Sequence, residues 1–190
     1  MSRRLLAALL VLPLLGCAAP SGNPANTPAA PSAPQTSPAA PDASAAQWTI
    51  TLVRHADPAP DGTDDPPLSP AGEERAQRLA GLLAAQQGSG VLASGYRRTQ
   101  QTAAATAAAW GVPVETYDAT APAQDILVDA LTGHPSGALL IVGHSNTVPE
   151  LVAALCGCEV DPIPETEFGV LHRLTLDAEG NLLDRVVEQY

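Results

Sequence analysis

Two histidines and two arginines stand close to the ends of apolar segments, and these residue types bind and transfer phosphoryl groups. Arg54 and His55 end the first apolar segment, Arg98 lies shortly beyond the second, and His144 follows the third. A neutral imidazole is a nucleophile, and a guanidinium stays charged and donates two parallel hydrogen bonds to a phosphate. The pattern predicts a pocket in which both arginines bind a phosphate group, with His144 as a further donor when protonated.

The elements that must position these residues alternate between strand and helix patterns. Strands are predicted at 48–54, 90–94, 112–117, 138–143, 168–176 and 182–188. Helices are predicted from Pro70 to about Leu83 and at 96–110, 123–132 and 148–156. This alternation is typical of an α/β fold, here a three-layer α/β/α sandwich with a mainly parallel sheet and a C-terminal hairpin. Ligands of such sheets bind at the carboxyl ends of the strands, where the four residues fall.

Three motifs in this order resemble the histidine phosphatase superfamily, also called the phosphoglycerate-mutase-like superfamily. They are Arg54-His55 at the end of the first strand, the segment 94–103 (SGYRRTQQTA) and the late Gly143-His144. The resemblance covers residues 48–190 and is closest to the small phosphohistidine-phosphatase type. It implies that His55 is phosphorylated during turnover and that His144 cradles the phosphoryl group.

Two further assignments depend on this resemblance. Counting back from the Gln-Thr-Ala that ends the second motif selects Arg98 over Arg97 as the phosphate-binding arginine. The general acid is less clearly marked, because the family's usual motif around its acid is absent. Asp118, directly after the third strand, is the first choice for this role, with Asp125 and Asp57 as alternatives.

Composition and charge exclude several functions. The chain has nine arginines and no lysine, which excludes a Walker-type phosphate lysine and a Schiff base. A formal net charge of −11 argues against nucleic-acid binding, which depends on neutralising phosphates. No histidine pair has the His-x-His or His-x₃-His spacing of a metal site, so we expect neither a metal nor a cofactor.

The first 47 residues are predicted to lie outside the folded domain. Residues 1–16 join two arginines to an apolar stretch too short to span a bilayer, as in a signal peptide. The stretch ends in Leu-Leu-Gly before Cys17, which resembles a bacterial lipobox and implies a diacylated Cys17. Residues 17–47 are rich in Ala and Pro and lack large apolar side chains, so we expect a disordered tether.

These observations predict an exported, lipid-anchored, metal-independent phosphatase on the periplasmic or extracellular face of a membrane. Its substrate would be a small phosphomonoester or a phosphoprotein such as a phosphohistidine protein. The alternatives are a non-catalytic phosphate-binding or structural lipoprotein of the same fold and a mutase, which an export signal disfavours. Cys156 and Cys158, separated by one glycine, are predicted either to bridge in an oxidising compartment or to remain unbridged.

The lipid prediction is tested by metabolic labelling with a fatty-acid analogue. We expect the full chain to be labelled and the Cys17→Ser variant to lose the label, because the acyl chains attach at this thiol. Cys158→Ser, which also replaces one cysteine by serine, is the matched control and should keep the label. Equal labelling of the wild type and Cys17→Ser would contradict the prediction.

Overall fold

The computed structural model describes residues 47–190. The predicted signal peptide, the predicted lipidation site Cys17 and all of the predicted tether except Gln47 lie outside the described residues. The backbone N–H of Gln47 donates to the carbonyl of Leu176 at 2.7 Å, so the last residue of the predicted tether is hydrogen-bonded to the folded domain. Within the described part of the chain, no helix combines the length and apolarity needed to cross a bilayer.

Six strands and four helices alternate within residues 47–190. In chain order they are β1 (Trp48–Arg54), α1 (Pro70–Leu83), β2 (Gly88–Ser94), α2 (Arg97–Trp110), β3 (Val114–Tyr117), α3 (Ala123–Gly133), β4 (Gly137–Gly143), α4 (Thr147–Cys156), β5 (Val170–Leu176) and β6 (Leu182–Gln189). All ten elements were predicted, with boundaries that differ by one or two residues. Ser69 caps α1 as expected, because its Oγ accepts a hydrogen bond from the backbone N–H of Gly72 at 3.1 Å.

Two of the boundary differences have clear local causes. Gly111 ends α2 in the left-handed region (φ 70°), and the following N–H of Val112 donates back to the carbonyl of Ala107 at 3.1 Å. Val112 therefore belongs to the helix cap, and β3 begins two residues later than predicted. Phe168, predicted to open the fifth strand, precedes β5, and its ring lies 4.3 Å below the guanidinium of Arg54.

The strands form one sheet in the order β3-β2-β4-β1-β5-β6. The first four of these strands are parallel, β5 runs antiparallel to β1, and β6 returns antiparallel to β5. The predicted α/β class, mainly parallel sheet and C-terminal hairpin are confirmed.

A disulfide joins Cys156 and Cys158, which settles the two alternatives left open by the sequence in favour of the bridge.

Helices cover both faces of the sheet, and each face has its own apolar core. One core joins residues of β1 and β4 to α3 and α4, among them Ile50, Leu139, Ile126 and Leu151. The other joins the opposite faces of β1, β2 and β4 to α1 and α2, among them Val53, Leu140, Leu79 and Ala103. The central strands are thus buried on both sides, as the continuous apolar run of β4 predicts.

The topology brings the predicted site residues to one edge of the sheet. β2, β4 and β1 are neighbours, so their carboxyl ends meet, and the backbone N–H of His55 donates to the carbonyl of Gly143 at 2.9 Å. Because β5 is antiparallel to β1, it begins at the edge where β1 ends, with Leu171 opposite Val53. The segment 157–169 that enters β5 therefore reaches the same edge.

One buried threonine ties the end of β1 to the first turn of α2. Thr102 Oγ1 accepts a hydrogen bond from the backbone N–H of Ala56 at 2.9 Å and lies 2.7 Å from the carbonyl of Arg98, to which it donates. Thr102 and Ala56 are both fully buried, so water does not replace this contact. Thr106, one turn later and equally buried, has a hydroxyl without any hydrogen-bond partner in the described residues.

These two threonines make a matched pair for a stability test. Thr102→Val leaves the buried N–H of Ala56 without an acceptor, and we expect it to lower the free energy of unfolding by about 1–3 kcal/mol. Thr106→Val has the same change of shape and removes an unsatisfied hydroxyl, so it should be neutral or stabilising. Urea unfolding of both variants measures the difference, and equal losses would contradict this role of Thr102.

Candidate active site

A cavity of about 340 Å³ opens at the carboxyl ends of β1, β2 and β4. The residues that line it are His55, Tyr96, Arg98, Ala119, Thr120, His144, Ser145, Asn146, Thr147 and Glu165. Three of the predicted site residues, His55, Arg98 and His144, thus line the same cavity. The volume fits a phosphate group with a modest substituent.

His55 is held in the neutral form and orientation that a nucleophile needs. Its ring is only 4% exposed, and Nδ1 lies 2.9 Å from the carbonyl of Ala56. A carbonyl can only accept, so Nδ1 carries the proton and Nε2 keeps its lone pair. Burial, aided by the charges of Arg54 and Arg98, lowers the pKa of His55 to about 4. The imidazole is therefore uncharged and reactive near neutral pH.

His144 lies across the cavity, with its ring centroid 5.4 Å from that of His55. The turn that places it needs Gly143, because a Cβ there would lie 2.6 Å from Thr147 Oγ1. That hydroxyl oxygen accepts from the backbone N–H of His144 at 2.9 Å. Burial, followed by the charges of Arg98 and Arg54, lowers the pKa of His144 to about 4.

A chain of hydroxyl groups sets the tautomer of His144. Thr99 Oγ1 lies 2.8 Å from the carbonyl of Ser94 and 2.7 Å from that of Tyr96, so its own proton goes to a carbonyl. Ser94 Oγ, 2.9 Å from Thr99 Oγ1, must then donate to Thr99 and accept from His144 Nε2 at 2.8 Å. This direction satisfies every contact and places the proton of His144 on Nε2. The unprotonated Nδ1 of His144 is then available to a bound ligand. To donate a hydrogen bond to a phosphate, this Nδ1 would first have to gain a proton.

The two neighbouring arginines at the start of α2 have different positions. Arg98 lines the cavity with its guanidinium 4.5 Å above the ring of Tyr96, and its Nη1 lies 3.3 Å from the carbonyl of Asp64. Arg97 is exposed and contacts Asp65 through its backbone N–H. The geometry therefore places Arg98 and not Arg97 where a phosphate could bind, in agreement with the choice made from the sequence.

Arg54 lies beside the cavity and is held by the segment before β5. It is 4% exposed, and its Nη1 donates to the carbonyls of Pro164 and Glu167 at 2.8 and 3.0 Å. Its Nη2 donates to Glu165 Oε2 at 2.6 Å, and its buried Nε has no partner in the described residues. A charged group this deeply buried needs such compensation. Part of the predicted phosphate-binding fork is thus occupied by a carboxylate of the protein.

The structure does not bring Asp118 into this cavity. Its carboxylate accepts from the backbone N–H and the hydroxyl of Thr120 at 2.8 and 2.7 Å, contacts that lower the pKa of Asp118. The alternatives are also absent from the cavity wall, since Asp57 pairs with Arg75 at 2.6 Å and Asp125 lies at the start of α3. The next two residues, Ala119 and Thr120, do line the cavity, but the Asp118 carboxylate is engaged by Thr120 and is not part of the wall.

Sequence reasoning missed Glu165 and Tyr96 as cavity residues, whereas Ser145 was considered as a backbone-capping or phosphate-contacting hydroxyl. Tyr96 lies two residues beyond a predicted strand end, and the same rule that found His144 could have found it. Glu165 carries no such signal, because it lies in an irregular segment with no periodicity. A prediction that the fifth strand pairs antiparallel with the first would have indicated that the segment containing Glu165 lies beside the site.

A family model supports the assignment that these residues suggest. The model of the histidine phosphatase superfamily (branch 1) matches residues 50–121, which include Arg54, His55 and Arg98. His144 lies beyond the matched range, and the structure places it opposite His55. Over residues 50–121 the chain is thus similar to the histidine phosphatase superfamily. No curated protein sequence matches the chain.

Solved structures of histidine phosphatases share the fold. The protein histidine phosphatase SixA, solved with tungstate, is 26% identical with a TM-score of 0.59, and the match covers 74% of this chain and 94% of that one. The putative phosphohistidine phosphatase SixA from Agrobacterium tumefaciens is 24% identical, with a TM-score of 0.53 over 73% and 97% of the two chains. A mycobacterial glucosyl-3-phosphoglycerate phosphatase with inorganic phosphate is 15% identical, with a TM-score of 0.57 over 75% and 96%.

The described site has the chemistry of oxyanion binding. In residues 47–190, no group of three or more His, Cys, Asp or Glu side chains is arranged to hold a metal ion. Positive charge at the cavity comes from guanidinium groups, which match the oxygens of a phosphoryl group. His55 supplies a lone pair on one side of the cavity, and His144 supplies a ring that can form hydrogen bonds on the other side.

The lowered pKa values of His55 and His144 are testable by NMR titration of their imidazole Cε1 protons. We expect both rings to stay neutral at pH 6 and to protonate near pH 4. Unfolding raises these pKa values to about 6.5. The unfolded chain therefore binds more protons, and the free energy of unfolding falls as pH drops from 6.5 towards 4.

Arg98→Gln provides the internal check of the electrostatic cause. It removes the charge that, after burial, contributes most to lowering the pKa of His144, so the midpoint of that ring should rise. Assignments come from His55→Asn and His144→Asn. Midpoints near 6.5 for both rings of the wild type would contradict this description of the site.

Proposed function

We propose that the protein hydrolyses a phosphomonoester or a phosphohistidine through a covalent intermediate on His55. The observation that carries this proposal is the state of His55, a buried neutral imidazole whose Nδ1 proton is committed to the Ala56 carbonyl. The free Nε2 lone pair belongs to a ring that lines a cavity together with Arg98 and His144. A non-catalytic phosphate-binding protein has no need of such a nucleophile.

The reaction follows from these positions in two steps. The substrate's phosphoryl oxygens bind Arg98 and compete for Arg54, and the dianion draws a proton onto His144 Nδ1, which then donates to it. His55 Nε2 attacks phosphorus, so the N–P bond forms as the bond to the leaving group breaks. Water then attacks the phosphohistidine, the N–P bond breaks and inorganic phosphate leaves. Charge-matched donors lower the barrier of both steps.

The dimensions of the cavity support a small substituent on the phosphate or a flexible phosphorylated segment of a protein. Similarity to the glucosyl-3-phosphoglycerate phosphatase supports a small substituent. Similarity to the protein histidine phosphatase SixA supports a phosphorylated segment of a protein. Every group invoked in the two steps belongs to the protein, so the proposal includes metal independence. We further propose that acyl chains on Cys17 hold the enzyme at a membrane surface outside the cytoplasm, as the lipobox-like sequence suggests.

The intermediate is tested by rapid mixing with ³²P-labelled aryl phosphate in EDTA, followed by a quench without acid. The label should appear on the peptide that contains His55, in a bond that is stable to base and labile to acid. His55→Ala should abolish turnover while its unfolding transition persists, and His144→Ala should slow turnover. Loss of activity in EDTA, a phosphoserine adduct, or turnover by folded His55→Ala would overturn the proposal.

A further inference from the structure

Glu165 is the one acidic side chain among the residues that line the described cavity. It belongs to the segment 157–169 between α4 and β5, which no sequence motif connects with chemistry. Its Oε2 accepts from Arg54 Nη2 at 2.6 Å, and its Oε1 accepts from Ser145 Oγ. A guanidinium and a hydroxyl are donors that a phosphoryl group would use, so this carboxylate occupies donors that an anionic substrate would bind.

The position of Glu165 combines a fixed backbone with a mobile side chain. The flanking carbonyls of Pro164 and Glu167 both accept from Arg54 Nη1, at 2.8 and 3.0 Å, and hold the segment against the site. The side chain itself is 78% exposed, so its carboxylate can turn away from Arg54 without unpacking any core. Once displaced, the carboxylate still lies at the rim of the cavity, within reach of the outward-facing part of a bound substrate.

Substrate binding changes the proton affinity of this group. The Ser145 hydrogen bond and the charge of Arg54 lower the pKa of Glu165. An incoming phosphoryl dianion takes over those donors and adds negative charge beside the carboxylate. Both changes favour the protonated acid. Glu165 therefore becomes a proton donor when a phosphate occupies the site.

We propose that Glu165 is a catalytic residue that protonates the oxygen of the leaving group. The inference rests on the proposed phosphatase function and assigns to Glu165 the role that the sequence favoured for Asp118. In the first step, the N–P bond to His55 forms, the bond from phosphorus to the leaving oxygen breaks, and the Glu165 proton moves to that oxygen. In the second step, the Glu165 carboxylate takes a proton from the water that attacks phosphorus, which restores the acid.

Leaving groups of different basicity separate proton donation from any other role of this side chain. An aryl phosphate such as p-nitrophenyl phosphate leaves without needing a proton, whereas an alkyl phosphate such as glycerol phosphate needs one. The value of kcat/KM reports the steps up to leaving-group release, so it isolates the first half of the reaction. The test compares wild-type protein, Glu165→Gln and the matched control Glu159→Gln, whose exposed side chain belongs to the same segment but not to the cavity wall.

We expect Glu165→Gln to lower kcat/KM for the alkyl phosphate by about 10²- to 10⁴-fold. For the aryl phosphate, kcat/KM should change by less than about tenfold, since its leaving group needs no acid. Glu159→Gln should match the wild type on both substrates. After a burst of nitrophenol, steady turnover of aryl phosphate by Glu165→Gln should slow, because water attack has lost its base.

Two outcomes would overturn the proposal. Equal losses on both substrates would mean that Glu165 only supports the structure of the site. A rise in kcat/KM on both would mean that its carboxylate only competes with phosphate. Neither result bears on the proposed phosphatase function. That function would be contradicted separately if the wild-type protein formed no phosphohistidine at His55.

Discussion

The parallel pairing of β1 with β4 is the constraint on which the site depends. It sets Arg54 opposite Gly143 and lets the backbone N–H of His55 bond to the Gly143 carbonyl. The two histidines that follow these strands then face each other with ring centroids 5.4 Å apart. Both strands lie in the middle of the sheet and are covered by apolar cores on both faces, so neither can shift its register without exposing a core. The rigidity of the site is thus the rigidity of the central sheet.

Burial at this edge sets the electrostatics of the site. Two imidazoles placed beside two guanidinium groups remain neutral, because desolvation and positive charge both oppose their protonation. A neutral His55 keeps the lone pair that the proposed attack on phosphorus requires. The same positive surroundings favour the binding of an anion such as a phosphoryl dianion. In the proposed reaction, one arrangement of charge therefore serves both the nucleophile and the bound phosphate.

Arg54 connects this centre to the C-terminal part of the chain. Its guanidinium lies on the ring of Phe168 and donates to two carbonyls of the segment before β5. This buried cation is satisfied mainly by backbone carbonyls and only in part by Glu165. The Glu165 carboxylate can therefore move away from Arg54 without leaving the guanidinium uncompensated, provided that another anion binds in its place. The hydrogen bonds that Arg54 donates thus hold the segment before β5 in place, and they would also allow a phosphate to replace Glu165.

The sequence alone determined the elements, the class of fold and four of the residues at the site. Strand and helix periods, the Ser69 cap and the Gly111 stop are local signals, and they placed every element to within one or two residues. Arg54, His55 and His144 were identifiable because each ends a predicted strand or directly follows one, and Arg98 because it lies in a motif that resembles the histidine phosphatase superfamily. Parallel strands place all such positions at one edge, so local pattern was sufficient there.

Only the tertiary structure decided which carboxylate reaches the cavity. Asp118 has the expected strand-end position, and the two residues after it line the cavity, but its carboxylate accepts from the backbone N–H and the hydroxyl of Thr120 and is not part of the wall. Short acidic side chains commonly form such local contacts with the nearby backbone. Glu165 reaches the site from an irregular segment because β5 pairs antiparallel with β1, a contact between residues more than a hundred positions apart. No local pattern encodes such a pairing, since its stability comes from neighbours that only the complete sheet brings together.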